Sequence, residues 1–527
     1  MPNPVASRRS APTALRLLSL LVGLCMALPL GYLLLRALQG DAAQAVTLLW
    51  RGRTLQLLGN TVALTAGVLL LATLIAFPLA WLVVRSDLPG RRLLLWLSIL
   101  PLAVPGYVMA YALIGLSGHY GFLNQLLGLR IARLEGLAGA TLALGLYTFP
   151  YLFLNLRSAL LAQDAALLHS ARSLGHGLWS CFFRVSLPGL LPALAAGWLV
   201  IALYTLGDFG AVALMRLDVF SSAMYSQYHS GFEVRQAAWL ALMLLGMTGA
   251  TIALFRQIPT HPRPERSGLG VAARHQPVRL GHWQALAWVF IVLVVLASVG
   301  LPLAVTLFWL SRATTALDAP ALWNSIWQTA SLALPTAAVA TLLALLCATL
   351  AAWWPGRNAD MQERAIYFGY AIPGLPLALA VAFFSLHTVP ALYQSHAVLV
   401  LAYCISFMAL AYGPIKNSLM QTGRKMHDSS LMLGVSPGRS FCRITLPVIR
   451  PAVFGGGALI LLMVIKELPI TYLLAPIGIR TLSMEVFSRT NEGMMLQAAP
   501  YALLLMAFSS LFMGLLLWQQ DQRSQNA

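Results

Sequence analysis

Uncharged apolar runs of about 18 residues or more recur along the chain, as in the stretch from Leu17 to Leu35. A run of this length is enough to cross the hydrocarbon core of a bilayer as a helix. The runs are continuous and do not alternate with period two, which argues against membrane β-strands. Only 9% of the residues are charged, far fewer than in a soluble protein of this size. We therefore expect an all-α polytopic membrane protein.

The apolar runs predict twelve transmembrane helices. They lie at about residues 14–38, 57–84, 93–116, 137–160, 190–214, 237–256, 286–310, 325–354, 366–387, 396–419, 452–476 and 498–518. With the N-terminus inside, cytoplasmic segments hold 23 Lys and Arg residues and the opposite loops hold 10. The positive-inside rule then places both termini in the cytoplasm. The same rule accounts for the net charge of +18, so we expect no nucleic-acid partner.

The chain reads as two halves joined by a Pro-, Gly- and Arg-rich cytoplasmic linker. We expect a first transmembrane domain at 1–256, the linker at 257–285 and a second transmembrane domain at 286–527. Residues 172–188, RSLGHGLWSCFFRVSLP, match residues 431–447, LMLGVSPGRSFCRITLP, at an offset of 259. Because each half has six helices, the halves should be parallel repeats with both matched loops on the cytoplasmic side.

Each matched loop predicts two short helical arms that meet at a glycine. Gly175 and Gly434 suit a sharp helix ending, while Pro188 and Pro447 suit the first turn of the next membrane helix. The chain contains no Gly-Lys pair and hence no P-loop ATPase of its own. Two such loops on one face favour docking to a paired cytoplasmic partner. The alternative is that they are amphipathic linkers at the membrane surface.

These loops resemble the EAA loops of ABC importer permeases, whose pattern is E-A-A-x-x-x-G-(x)9-I-x-L-P. The resemblance implies coupling helices at 169–174 and 428–433, seated on the ATPase. The acidic residue that opens the pattern is histidine in the first loop and aspartate in the second, so unequal contacts with the two ATPases are expected. The implied coupling residues are His169, Ser170, Ala171, Leu174, Gly175 and Pro188 in the first loop, and Asp428, Ser429, Ser430, Leu433, Gly434 and Pro447 in the second.

The stretches LPLAVPGYVMAYALIGL, LGDFGAVAL and KELPITYLLAP resemble the two-in-one permeases of ferric-iron importers. The resemblance covers essentially the whole chain and implies the type I permease fold in a bacterial inner membrane. It also implies two copies of a cytoplasmic ABC ATPase and a periplasmic or extracellular substrate-binding protein as partners. Thiamine, phosphonate or polyamine are alternative cargoes. Hydrolysis would occur in the partner, so we expect a transport subunit with no catalytic residues and no cofactor.

Three charged residues interrupt apolar segments: Asp208, Lys466 and Glu467. An ion at mid-bilayer costs about 2.5–3.5 kcal/mol on insertion scales, so these groups should face protein or water. They either form an ion-pair contact between the two halves, with Asp208 and Glu467 around Lys466, or line the translocation path. The pairs Pro105-Gly106 and Pro373-Gly374 predict kinks in the third and ninth helices.

Other function classes find less support. The five cysteines form no CxxC pair, so neither a metal site nor a disulfide framework is expected. A secondary transporter driven by an ion gradient would use Asp208 and Glu467 for coupling and would need no docking loops. A membrane-embedded enzyme is disfavoured, because there is no HExxH motif. The outer loops at 215–236 and 476–497 are expected to form surface or re-entrant helices that receive the binding protein.

Overall fold

The computed structural model describes residues 13–38, 47, 50–163, 171, 173–175, 177–229, 234–258, 277–312 and 318–526. Within these ranges the regular elements are helices, apart from one isolated bridge between Ser86 and Val278. Eight described helices are long and apolar enough to span a membrane, or eleven if three bent pairs each count as one span. A further helix, α1 (Thr13–Leu38), has a shorter apolar stretch. The expected all-α polytopic class is confirmed.

Contacts group the chain into two compact units. The N-half unit comprises Ala43–Leu317 and Val486–Ser510, and the C-half unit comprises Met1–Ala42, Asp318–Glu485 and Leu511–Ala527. The units interleave along the sequence and therefore do not test the predicted sequential domains.

The N-half unit contains most of the helices of the first half together with the first two helical segments of the second half. They are α2 (Gly52–Arg85), α3 (Arg91–Ile99), α4 (Gly106–Leu116), α5 (Phe122–Leu127), α6 (Gly136–Ala162), α7 (Leu178–Cys181), α8 (Leu187–Gly207), α9 (Gly210–Leu214), α10 (Phe220–His229), α11 (Val234–Arg256), α12 (Trp283–Val295) and α13 (Leu301–Ser311). Its core is the packing of α2 and α8 against α6, where Gly145 and Gly197 allow close approach to Leu71 and Leu152.

The C-half unit contains α1 and most of the helices of the second half. The latter are α14 (Ala319–Trp353), α15 (Arg357–Ala371), α16 (Gly374–Thr388), α17 (His396–Phe407), α18 (Ala409–Thr422), α19 (Lys425–Met432), α20 (Pro437–Ser440), α21 (Leu446–Lys466) and α22 (Pro469–Leu474). Two last helices, α23 (Leu482–Asn491) and α24 (Met495–Asn526), are divided between the units. Helices α14, α18 and α21 form the core of the C-half unit.

The first helix of each half packs in the unit built from the other half. Helix α1 packs on α15 and α16, and Met26 lies against Gly369. Helix α13 packs on α4, where Gly115 leaves room for Val305 and Trp309. The hydrophobic pattern of a sequence records how much of a helix is apolar but not which neighbour it meets, so this exchange was not anticipated.

The kinks expected at the Pro-Gly pairs are instead complete breaks. The chain bends by 88° between residues 91–103 and α4, and by 108° between α15 and α16. Pro105 and Pro373 adopt ψ values of 152° and 143°, far from the value of about −42° in an α-helix. Because proline disfavours helical backbone in the residue before it, the helix ends there and restarts at the glycine. The predicted positions of the two bends are therefore confirmed, but each bend is sharper than a kink and divides the predicted helix into two.

The fifth and eleventh predicted helices are also broken, each at its acidic residue. Helix α8 ends at Gly207 and α9 begins at Gly210, while α21 ends at Lys466 and α22 begins at Pro469. The continuous helices predicted at 190–214 and 452–476 are corrected accordingly. Each break is followed by a short helix and then by a ten-residue helix, α10 or α23. Residues 215–236 and 476–497 thus each include a ten-residue helix.

Candidate functional site

The second matched loop forms the expected bracket, and its glycine has the conformation the sequence predicted. Helix α19 ends at Met432, and Gly434 has a φ of +81°. The Gly434 N–H donates to the Leu431 carbonyl at 3.0 Å, and the Val435 N–H donates to the Ser430 carbonyl at 3.1 Å. This pair of bonds is the Schellman motif, which favours glycine at the left-handed position. In the first loop, Gly175 has a matching φ of +82°.

A buried histidine ties the two arms of the second loop together. The His427 ring lies 4.6 Å from the Trp353 ring, between centroids, and its Nδ1 is 2.8 Å from the Ser440 hydroxyl. The hydroxyls of Ser430 and Ser440 are also hydrogen-bonded, so α19 and α20 share one polar contact network. Burial lowers the pKa of His427 from 6.5, although Asp428 opposes the shift. A neutral ring is thus favoured in this packed loop.

The acidic residue of the second loop is paired within its own chain. The Arg424 Nε lies 2.9 Å from Asp428 Oδ1, four residues along the same turn. The Arg424 guanidinium also lies over the Trp354 ring at 4.7 Å and the Trp353 ring at 5.7 Å. An exposed ion pair alone contributes little, but the stacked guanidinium fixes the start of α19 against the end of α14. Asp428 therefore helps to hold the bracket.

The tip of each bracket presents apolar side chains to solvent. Met432 and Leu433 are 88% and 84% exposed, and Leu174 at the matching point of the first loop is 79% exposed. Ser429 is exposed as well, and its hydroxyl donates to the Lys425 carbonyl of its own helix. Apolar groups at a loop tip gain free energy when a partner covers them, at roughly 25 cal/mol per Å².

The second arm of each bracket continues into a membrane helix through one widened turn. Residues 182–186 and 441–445 form π-turns, with N–H groups of Leu187 and Leu446 bonded to carbonyls five residues earlier. Pro188 and Pro447 follow at the start of α8 and α21, as predicted. A proline has no N–H to continue the α-helical pattern, and a π-turn accommodates that loss. The second arm of each loop is therefore continuous with the helix that follows it.

A polar relay holds the base of the first loop. Arg85 donates to the Leu160 carbonyl and to the Gln163 side chain, at 3.0 and 2.9 Å. The Gln163 amide in turn donates to the Ser186 carbonyl of the π-turn. Of the predicted coupling residues in this loop, Ala171, Leu174, Gly175 and Pro188 are described, whereas His169 and Ser170 lie outside the described residues.

The intramembrane acids cap the short helices that follow the breaks. Asp208 Oδ1 accepts from the N–H groups of Ala211 and Val212 at 2.9 and 3.3 Å. Glu467 Oε1 accepts from the Ile470 N–H at 3.0 Å. Each acid thus satisfies an N–H that helix geometry leaves free and places negative charge at a helix N-terminus. The buried Lys466 precedes Glu467 as the last residue of α21.

The Pro-Gly breaks lie directly against the acids. A methyl group built on Gly106 would lie 3.5 Å from Asp208 Oδ2, and one built on Gly374 would lie 3.3 Å from Glu467 Oε1. Sequence reasoning singled out both features but did not bring them together. Their joint recurrence in the two halves, at offsets of 268 and 259, was the signal that could have done so.

Two helical halves, each with a loop that turns at a glycine and runs into an apolar helix, are the architecture expected of importer permeases. Residues 340–523 match the family described as binding-protein-dependent transport system inner membrane component. The chain is 30% identical over 514 residues to the Fe(3+)-transport system permease protein FbpB 2 of Haemophilus influenzae, covering 95% of this chain and 97% of that one. It belongs to the family of binding-protein-dependent ABC importer permeases.

Shorter relatives match about two fifths of the chain. The molybdenum transport system permease protein ModB of Escherichia coli is 31% identical over 223 residues, which is 40% of this chain and 96% of that one. A probable sulfate transport system permease protein of Chlorokybus atmophyticus is 26% identical over 203 residues, covering 37% and 70%. Such half-length relatives fit a chain with two fused domains. The protein is thus a multi-pass transport subunit of the inner membrane, and its family implies an ATPase and a substrate-binding protein as partners.

Proposed function

We propose that this chain forms the path for ferric iron in an importer driven by two copies of a separate ATPase. The support for this cargo is the 30% identity, across 95% of the chain, to a relative named for Fe(3+) transport. The excess of basic residues in alternate loops supports cytoplasmic termini and cytoplasmic coupling loops. One ATPase would sit beneath residues 169–175 and the other beneath residues 428–434.

The observation that carries the coupling proposal is the bracket itself. Its exposed apolar tip is followed by an arm that is continuous with a membrane helix, and that helix ends at an acid-capped break. Helix α21 has 21 residues and so is about 30 Å long. When the ATPase closes on ATP, movement of the tip would be carried along this rod to the break at Glu467. The first loop would act in the same way on Asp208 through α8.

Substitution of the exposed tips tests the docking. The change of Leu174 and Leu433 together to serine should weaken binding of the purified permease to its ATPase, measured by co-purification and by the concentration of ATPase giving half-maximal hydrolysis. Leu129→Ser is a matched control, because Leu129 is also an exposed leucine but lies outside both loops. Equal ATPase affinity in the double variant and the control would contradict the docking surface.

Reconstitution tests the cargo and the driving force. Proteoliposomes with the permease, its ATPase and its loaded binding protein should take up ferric iron only with ATP inside the compartment that holds the ATPase. Thiamine, a phosphonate and a polyamine, each offered with the same binding protein, should not be taken up. Uptake driven by an ion gradient without ATPase would favour the secondary-transporter alternative.

A further inference from the structure

Four tyrosines surround the acidic break of the N-half unit. The Tyr147 ring lies 5.0 Å from the Tyr204 ring and 6.4 Å from the Tyr151 ring, between centroids. The Tyr147 hydroxyl lies close enough to the hydroxyls of Tyr151 and Tyr204 to interact with both. Tyr107 and Asp208 lie close enough to Tyr204 to interact with it electrostatically. Five oxygen-bearing side chains, from three helices and the break after α8, thus lie near one another.

The carboxylate of Asp208 has two distinct environments. Its Oδ1 caps α9 through the N–H groups of Ala211 and Val212. Its Oδ2 lies toward Gly106. A methyl group built on Gly106 would lie 3.5 Å from this oxygen and 3.7 Å from the Tyr204 hydroxyl. One carboxylate oxygen therefore holds the helix in place while the other faces the phenols.

The C-half unit has no counterpart of this cluster at equivalent positions. At the offset of 268 for the Pro-Gly break and 259 for the other helices, the four tyrosines correspond to Leu375, Ser406, Leu410 and Met463. The acid and the glycine recur, but the phenols do not. Tyr403, which does lie near Glu467, occupies the position of Leu144, and its hydroxyl is bonded to Thr471 at 2.6 Å. A Pro-Gly break therefore forms in the C-half unit without tyrosines at these positions.

Phenylalanine would fill the same space without placing hydroxyl groups in an apolar interior, where each needs a partner. Packing alone therefore does not account for tyrosine at these four positions. Phenol and carboxylate oxygens are hard ligands, which suit hard cations better than soft ones. A carboxyl group that can ionise beside the phenols further favours a cation over an oxyanion such as molybdate or sulfate.

The geometry points to a transient binding site for a hard trivalent cation at Tyr107, Tyr147, Tyr151, Tyr204 and Asp208, in the N-half unit alone. This inference rests on the proposed ferric-iron cargo and places a transient binding site for it on the translocation path. Each tyrosine that ligates the cation as a phenolate releases its hydroxyl proton. The site would hold the ion beside the Pro-Gly break, so that movement of the break and release of the ion are linked.

A spectroscopic titration tests the site in the whole permease–ATPase complex. Ferric nitrilotriacetate added to the purified complex should give the visible absorption band of a phenolate-to-iron charge transfer. Tyr204→Phe and Tyr147→Phe should each weaken iron binding by at least about tenfold, as loss of metal ligands or their direct partners does. Gallium(III), which cannot be reduced, should compete for the band.

A matched control lies in the C-half unit. Tyr367 and Tyr412 have ring centroids 6.0 Å apart beside Glu363, but that carboxylate forms an ion pair with Lys416. Tyr367→Phe should therefore leave the band unchanged. Co-purification of the ATPase with every variant establishes that each one folds.

The transport assay separates the site from the cargo. If wild-type proteoliposomes take up iron and the two variants show a raised KM with unchanged ATPase assembly, the site is supported. If wild type takes up iron but both variants keep its KM and its absorption band, the site is wrong and the cargo stands. If wild type takes up no iron, both the cargo and the site are wrong.

Discussion

Replacement of Gly434 by alanine is the sharpest test of the bracket. Its φ of +81° lies in the left-handed region, where an L-residue with a side chain costs about 1–2 kcal/mol. A methyl group there would meet no atom within 4 Å, so the whole cost is backbone strain. That strain should shift the loop away from its docked shape and weaken ATPase affinity by roughly 5- to 30-fold.

Two further variants, one at the same position and one elsewhere in the same loop, separate backbone strain from other effects of the substitution. Gly434→Asn should recover much of the affinity, because asparagine tolerates left-handed backbone better than alanine. Gly438→Ala should have little effect, because Gly438 has no positive φ and open space around it. The assay is ATPase titration by surface-immobilised binding. Equal affinities for Gly434→Ala and Gly438→Ala would refute the argument.

Three further outcomes are expected. Burial lowers the pKa of His427 below 6.5 in the packed loop, so a loop in which this ring has come out of its packing binds a proton more tightly. Acidification below about pH 6.5 should therefore loosen the wild-type loop and reduce its affinity for the ATPase. His427→Phe should abolish this acid-induced loss of affinity. Asp208→Ala should lower stability by about 0.5–2 kcal/mol through loss of its cap, measured by thermal unfolding in detergent, whereas Asp208→Asn should keep most of it. Gly115→Ala should destabilise by about 1–3 kcal/mol, measured likewise, because the new methyl would lie 2.7 Å from Trp309 Nε1; an unchanged melting temperature would exclude that close packing.

The loops were predictable because their determinants are local. Glycine at a helix end and proline near a helix start restrict the backbone of their own residues, so Gly175, Gly434, Pro188 and Pro447 could be placed from the sequence. The repeat then indicated that both loops serve one purpose. The exposure of Leu433 also follows from its position just before the glycine at the tip.

Other features depend on tertiary contacts that sequence periodicity does not record. Whether a Pro-Gly pair bends or breaks a helix depends on which groups pack against the backbone at that point. At Gly106 the neighbouring group is the carboxylate of Asp208. The exchange of α1 and α13 between units is likewise a matter of helix neighbours. The contact of His427 with Trp353 joins residues 74 positions apart, which no local pattern could indicate.

The central claim is that force from a separate ATPase enters this chain through its two brackets. Its most direct test is ferric-iron uptake by proteoliposomes that contain wild type or the Gly175→Ala, Gly434→Ala double variant, with equal amounts of ATPase and loaded binding protein. The account predicts that ATP-dependent uptake by the double variant falls well below wild type at limiting ATPase and recovers in part at saturating ATPase. Uptake by both proteins at the same rate, or at full rate with the ATPase left out, would contradict it.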